Sequence, residues 1–99
     1  MFASREDVVV KCAKYCIPSH SWGTIERYIF DRIPGGSFFT ALVTNNLMES
    51  VARADAINVH FLKNYVDLMY NEFPSTAWGS PEKVSEWLRR GNDELESRV

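Results

Sequence analysis

The stretch SFFTALVTNNLMESVARA, residues 37–54, decides the fold. Large apolar side chains recur in it every three or four residues, which is the period of a helix with one buried face; they are Phe39, Val43, Leu47, Val51 and Ala54, widened by Phe38, Leu42 and Met48. Ser37 precedes the run and is a typical helix cap. The pattern predicts one helix from 38 to 54 at the centre of the domain, with Leu47 in the core, where truncation to Ala would cost about 2 to 5 kcal/mol.

Working outward, the same periodicity predicts further helices at 4–15, 19–33, 56–73 and 81–91. Ser4, Ser19 and Ser80 are the expected caps of the first, second and last of these helices, and the apolar stripe of the second helix extends to Ile33. For the first, the VVV run at 8–10 leaves a short edge strand as the alternative. A turn is expected near 53–55, because an unbroken helix from 38 to 73 would span more than about 50 Å. The predicted fold is all-α, a compact bundle of about four to five short helices. Residues 1–91 form one helical domain, and residues 92–99 form a frayed, charged tail.

The expected core consists of large apolar residues on the inner faces of these helices: Trp22, Phe39, Leu42, Val43, Leu47, Phe61, Leu62, Tyr65, Trp87 and Leu88. With 45% hydrophobic and 13% aromatic residues, the 99-residue chain can bury one such core.

Charge and cysteine content narrow the classes of partner. The net charge of −2 gives no general attraction to a polyanion, so duplex nucleic acid is not an expected partner. No run is long and apolar enough for a membrane span, and no secretory signal is present. Cys12 and Cys16 stand four apart, on one face of the first helix, where a local disulfide is not expected. We therefore expect a protein of a reducing cytoplasm, without a metal and without a disulfide.

No catalytic motif is found in the sequence. His20 and His60 lie forty positions apart, without a nucleophile elbow, a P-loop or a zinc-binding pattern around either. We predict a protein that is not an enzyme, with no catalytic residues and no cofactor, and that works by binding.

Two predicted helices begin directly after glycine-containing turns. Free N–H groups at such termini favour anions, and glycine lets a phosphate approach the backbone. The first turn offers Gly35, Gly36 and Ser37 as ligand-binding residues. The second offers Gly79, Ser80 and Lys83, with Trp78 as a stacking surface for a base. The alternative is that both are ordinary helix-capping turns.

A polar stripe, Asn45, Glu49 and Arg53, follows helical spacing along the central segment, and Asn46 stands beside it. Asn is a poor helix former, so two in succession require an explanation. Asn45, Asn46 and Arg53 are assigned to the ligand site, and Arg53, Asp55 and Asn58 are near enough in sequence to supply hydrogen-bond partners for the two asparagine amides if these are buried. Whether this cluster holds the fold together or lines a pocket remains open.

A second class of function fits equally well. Aromatic side chains expected at the surface, for example Phe2, Trp22 and Trp78, suit a small acidic domain that inhibits another protein by covering it.

Several runs carry a resemblance: IPSH at 17–20, IPGGSFFTAL at 33–42, NNL at 45–47, ARAD at 52–55 followed by Asn58, and WGSPEKVSEWL at 78–88. They resemble a group of small uncharacterised proteins encoded by tailed phages and prophages. That group often carries Asp in place of Asn46. The resemblance implies a phage origin and expression in the host bacterial cytoplasm, and it assigns no catalytic residue.

Small phage proteins without enzyme motifs commonly counter host defence, which is an argument by analogy. We therefore expect an anti-defence protein that sequesters a phosphate-bearing nucleotide immune signal. The alternative is a protein inhibitor that binds a host defence protein directly. The ligand, the host target and the oligomeric state, including a homo-oligomer, remain open.

Overall fold

A computed structural model describes the backbone of residues 1–97 and the side chains of residues 1–90. It contains six α-helices: α1 (Arg5–Lys14), α2 (Trp22–Phe30), α3 (Ser37–Val43), α4 (Leu47–Arg53), α5 (Leu62–Glu72) and α6 (Pro81–Ser97). Short 3-10 turns at Ser19–Ser21 and Asn58–Phe61 precede α2 and α5. No strand occurs in residues 1–97, so the prediction of a compact all-α bundle is confirmed.

The first helix forms as predicted, and the alternative of an edge strand is wrong. The Ser4 hydroxyl accepts a hydrogen bond from the N–H of Asp7, which caps α1. Val8 and Cys12 are buried, one turn apart on the inner face. Cys16 follows the helix with a φ of 57° and is exposed, so the two cysteines do not share a face as the spacing predicted.

The second helix is shorter than predicted. Ser19 begins a 3-10 turn and makes no capping hydrogen bond, so its assignment as the helix cap is wrong. The α-helix ends at Phe30, and Arg32 turns the chain with a φ of 57°. Ile33 is consequently exposed, although its spacing predicted burial.

The prediction of one helix over 38–54 is wrong, because the chain breaks at the two asparagines. Asn45 has a φ of 63°, in the left-handed region that ends α3. The Asn46 side chain then accepts a hydrogen bond from the N–H of Glu49 and caps α4. After the break the apolar side chains of α4 no longer face the core, and Leu47 is 71% exposed.

The core surrounds Tyr28 on α2. Its ring contacts those of Phe39, Phe73 and Trp87, with centroids 5.0, 6.5 and 6.2 Å away. The indole N–H of Trp87 donates to the Tyr28 carbonyl at 2.9 Å, which joins α2 to α6. These edge, stacked and tilted contacts pack residues from α3, from the end of α5 and from α6 around one buried phenol.

The predicted core is mostly right. Buried as expected are Phe39, Leu42, Val43, Tyr65 and Trp87; partly buried are Trp22, Phe61, Leu62 and Leu88; Leu47 is the exception. Phe2, expected at the surface, is buried against Phe73 with ring centroids 5.8 Å apart.

The turn predicted near 53–55 is present. The helix α4 ends at Arg53, and the Asp55 carboxylate accepts hydrogen bonds from the N–H groups of Ile57 and Asn58. Ser80 caps α6 as predicted, by accepting from the N–H of Lys83. The helix α6 continues past Gly91, where its end was predicted, to Ser97. The predicted frayed tail concerns residues 92–99, whose side chains lie outside the described part.

No helix among the described residues is long and apolar enough to cross a membrane. Within the same residues, no group of three or more His, Cys, Asp or Glu side chains is placed to hold a metal ion.

Candidate functional site

Half of the predicted ligand-binding residues line one groove between α3 and α4. This polar groove has a volume of about 350 Å³, and its lining includes Gly35, Gly36, Ser37, Asn46 and Arg53, together with Thr40, Ala41, Thr44 and Glu49. The other predicted residues, Asn45, Trp78, Gly79, Ser80 and Lys83, lie outside it. The structure thus does not bring the predicted site together in one place.

Only one of the two glycines at the polar groove serves the packing of α3. A Cβ on Gly35 would lie 2.7 Å from Cδ2 of Phe39 and 2.9 Å from Cγ2 of Thr24, so Gly35 allows α2 and α3 to approach. A Cβ on Gly36 would meet nothing within 4 Å. Only Gly36 therefore has space beside it that a ligand could occupy.

Arg53 is the only cation in the lining of the polar groove, and it already has a partner. Its Nε donates to the Glu49 carboxylate at 3.1 Å, one helical turn away. Both side chains are more than half exposed. The groove is therefore electrically neutral, and a phosphate would have to compete with Glu49 for the guanidinium.

At the second predicted terminus, the expected donors are used by the fold. The N–H of Gly79 donates to the Val43 carbonyl at 2.7 Å, and the Ser80 hydroxyl caps α6. The ring of Trp78 packs edge-on against Tyr70, with centroids 6.4 Å apart. Lys83 lines a different groove of about 320 Å³, between Glu82 and Glu86 on the surface of α6. These residues do not converge on one anion site.

A different feature stands out on α4, which packs mainly against α3. Its one buried residue is Ser50, whose hydroxyl donates to the Asn46 carbonyl at 2.7 Å. Its large apolar side chains point outward instead: Leu47 is 71% exposed, Met48 80% and Val51 47%. A helix that buries a serine and exposes leucine, methionine and valine reverses the usual amphipathic arrangement.

The helix α5 extends this surface. Leu62, Val66 and Tyr70 follow one another at four-residue spacing, so they lie along one side of α5. Val66 is 52% exposed and Tyr70 75%, whereas Leu62 is partly buried. We name the surface formed by Leu47, Met48, Val51, Leu62, Val66 and Tyr70 the apolar face.

A dimple joins the two halves of the apolar face. It has a volume of about 80 Å³ and lies between Leu47 on α4 and Leu62 and Val66 on α5, with Leu42 of α3 among the residues that line it. The polar side chains Asn45, Asn46 and Ser50 complete its lining. Such a cavity can take one aliphatic side chain of a partner, as anchors do at protein interfaces.

The charges on α4 and α5 are paired within each helix. Glu49 pairs with Arg53 on α4, and Lys63 pairs with Asp67 at 2.8 Å on α5. Each pair joins residues four apart, so neither helix presents a net charge from these groups. The apolar face has neutral surroundings.

Comparisons with protein-family models, with curated proteins and with solved structures found no match to this chain. The candidate sites therefore rest on the geometry of the molecule.

Sequence reasoning missed the apolar face because it assigned Leu47, Met48 and Val51 to the core. The asparagine pair was the signal that could have revealed it. A helix end at Asn45 resets the phase of the helix that follows, so the apolar period before the break says nothing about burial after it.

Proposed function

We propose that this protein acts by binding another protein through the apolar face, as an inhibitor that covers its target. The observation that carries the proposal is the reversed helix α4, with Leu47 and Met48 at the surface and Ser50 inside. Contiguous exposed apolar surface of this kind marks interaction sites on folded domains.

The size of the apolar face fits this role. Five of its side chains, exposed by 47% to 80%, present on the order of 500 Å², which is toward the upper end of what monomers expose. Burial of leucine, methionine and tyrosine side chains by a partner is also favourable, because it removes apolar surface from water.

The neutral surroundings indicate the chemistry of the partner, which should offer an apolar patch without a charge cluster. A copy of the same chain fits less well. Two such patches facing each other would bury on the order of 1,000 Å², below the roughly 1,200 to 2,000 Å² of stable interfaces. A larger partner that also covers the polar rim at Asn45 and Asn46 would reach that range.

The phage resemblance directs the proposal toward a host protein, met in the bacterial cytoplasm, and by analogy toward one of the host's defence proteins. Inhibition then needs no chemistry from this chain. It requires only that the bound domain blocks a surface which the target uses.

The test compares Met48→Glu, at the most exposed side chain of the apolar face, with Val10→Glu, a matched change on α1 where Val10 is 61% exposed. Candidate partners recovered by cross-linking in the host are purified and titrated calorimetrically with each variant. We expect Met48→Glu to lower the affinity for a purified partner at least tenfold and Val10→Glu to leave that affinity unchanged. Equal effects of the two variants would refute the apolar face as the binding surface.

Light scattering supplies the other arm of the test. If the wild type is a dimer at micromolar concentration and Met48→Glu is a monomer, the apolar face is occupied by a second copy, and the proposal of a host partner fails.

A second candidate function is the sequestration of a phosphate-bearing nucleotide signal in the polar groove. The observation that favours it is that Gly36, Ser37 and Arg53, all predicted from the sequence, meet in one cavity. A ligand would gain the hydroxyls of the groove and a charged hydrogen bond from Arg53, provided that it displaces Glu49.

The structure provides a matched pair for this test. Arg53→Ala removes the cation of the polar groove, and Lys83→Ala removes a cation from the separate groove on α6. Calorimetry with cyclic dinucleotides and ADP-ribose derivatives should show ten- to over a hundredfold weaker binding only in Arg53→Ala. No heat with any nucleotide would retire this candidate.

A further inference from the structure

Beside the polar groove lies a second cavity, of about 240 Å³, which we name the hydroxyl pocket. It is lined by His20, Ser21, Thr24, Asn58 and Tyr65, by the rings of Phe38 and Phe39, and by Gly36 and Ser37. Neither the apolar face nor the predicted phosphate site includes most of these residues.

Two buried polar side chains form the inner wall of the hydroxyl pocket. Tyr65 is 1% exposed and Asn58 is 5% exposed. The phenolic oxygen of Tyr65 lies 2.6 Å from Oδ1 of Asn58 and 2.7 Å from the Ser21 hydroxyl. Burial raises the pKa of Tyr65, so the phenol stays protonated. The Tyr65 hydroxyl has one proton, so it can donate in only one of these two short contacts.

The direction of the hydrogen bonds follows from Asp55. Nδ2 of Asn58 donates to the Asp55 carboxylate at 3.4 Å, and the opposite amide orientation would set two oxygens against each other. Oδ1 of Asn58 must therefore accept the proton of Tyr65. The Ser21 hydroxyl then has to donate to Tyr65, since no other arrangement gives both contacts a proton.

Because the proton of Ser21 is used in this contact, the Ser21 hydroxyl can only accept a hydrogen bond from a ligand in the pocket. The lining includes no Lys or Arg, and Nε2 of His20, the one imidazole in the lining, lies 3.4 Å from the Asp55 carboxylate. The pocket therefore favours a ligand that donates hydrogen bonds and carries no negative charge. The rings of Phe38 and Phe39 offer apolar surface to a flat group.

We propose that the hydroxyl pocket between the two 3-10 turns and α3 binds an aminated nucleobase as a neutral nucleoside, whose exocyclic amine donates to Ser21. The cavity is large enough for one base with part of its ribose, and base stacking on aromatic side chains is a common source of affinity. Adenine and cytosine carry such an amine, whereas hypoxanthine and uracil present a carbonyl at the same position.

The proposal does not depend on the apolar face. It is also distinct from the phosphate site, because here the recognised group is the amine and Arg53 has no part in it.

The experiment titrates adenosine, and inosine as its matched control, into isotope-labelled protein and follows the backbone resonances by NMR. Adenosine should shift the resonances of Ser21, Ser37 and Phe38, and inosine should bind about tenfold more weakly. Ser21→Ala should remove the preference for adenosine. Met48→Ala, on the apolar face, should leave that preference intact.

Tyr65→Phe tests the direction of the hydrogen bonds, because a purely structural role of Tyr65 would not change the preference for adenosine over inosine. Without the phenol, Ser21 is free to donate, and the preference for adenosine over inosine should fall toward unity. Equal binding of the two nucleosides by the wild type, or no shift in the pocket up to the solubility limit, would overturn the proposal. Tighter binding of adenosine monophosphate that Arg53→Ala abolishes, without any preference for adenosine over inosine, would also overturn it in favour of the phosphate site.

Discussion

The hydroxyl of Tyr28 donates a hydrogen bond of 2.6 Å to the carbonyl of Ala77, and both residues are fully buried. The contact spans 49 positions and fastens the loop at 74–79 to the centre of the core. Beyond that loop, the N–H of Gly79 donates to Val43, so α6 starts from a point fixed on both α2 and α3. The hydrogen bonds of the Ala77 carbonyl and the Gly79 N–H therefore fix the position of the loop.

Tyr28→Phe should lower the free energy of unfolding by about 1 to 3 kcal/mol, because it leaves the Ala77 carbonyl buried without a donor while the ring still fills its space. Urea denaturation followed by tryptophan fluorescence measures the change. Tyr70→Phe, at a 75% exposed position, is the control and should leave stability within about 0.5 kcal/mol. Equal losses in both variants would contradict a special role for the Ala77 contact.

Truncation to alanine should lower stability much more at one leucine than at another. Leu68 on α5 is fully buried, so Leu68→Ala should destabilise by about 2 to 5 kcal/mol. Leu47 is 71% exposed, so Leu47→Ala should cost less than about 1 kcal/mol. Thermal denaturation of both variants measures the two changes. A large loss of stability in Leu47→Ala would show that Leu47 lies in the core, as its spacing predicted.

The contrast between these leucines shows how far the sequence could predict the fold. Periodicity found most of the helices and most of the core, and the capping residues Ser4 and Ser80 were recognised because their hydrogen bonds are local. The burial of a side chain depends on the phase of its helix. A single left-handed residue at Asn45 changed that phase for α4, and no apolar pattern reports such a change.

The candidate site was harder to predict for a related reason. The sequence can show that a glycine or a serine precedes a helix, but it cannot show whether the N–H groups there are already used. Gly79 and Ser80 are both engaged by the fold, and Gly35 is needed for packing. The apolar face and the hydroxyl pocket each combine residues from distant segments, which only the tertiary structure brings together.

Substitution of alanine for the two adjacent glycines before α3 should affect stability very differently. Gly35→Ala would press its methyl group against the side chains of Phe39 and Thr24, and we expect a loss of about 1 to 3 kcal/mol. Gly36→Ala meets open space and should change stability by no more than about 0.5 kcal/mol. Denaturation midpoints of the two variants are compared directly, and equal midpoints would contradict the close approach of α2 and α3.

The break between α3 and α4 should tolerate glycine better than alanine. Asn45 has a φ of 63°, a conformation that costs alanine about 1 kcal/mol and glycine nearly nothing. Asn45→Ala should therefore lower stability by about that amount, and Asn45→Gly should stay near the wild type. If alanine proved as stable as glycine, α3 would not need the left-handed residue to end.

Glu72 on α5 carries the most buried carboxylate among the described residues, since only 5% of the residue is exposed. It accepts hydrogen bonds from the amine of Met1 at 3.0 Å, from Nζ of Lys11 at 3.0 Å and from the Tyr15 hydroxyl at 2.8 Å. Burial by itself raises the pKa of Glu72, but the three donors outweigh it and lower the pKa to about 2.

A carboxyl group with a pKa lowered in the folded state stabilises the protein above its unfolded pKa, and this contribution is lost as the pH falls toward the folded pKa. For Glu72 the window runs from about pH 5 down to pH 2. We expect Glu72→Gln to be less stable than the wild type at pH 7 by up to about 3 kcal/mol. The difference should shrink steadily below pH 5 and vanish near pH 2. Urea denaturation at several pH values measures it, with the exposed Glu82→Gln as the control, and a difference that stays constant with pH would mean that the charge of Glu72 contributes nothing to stability.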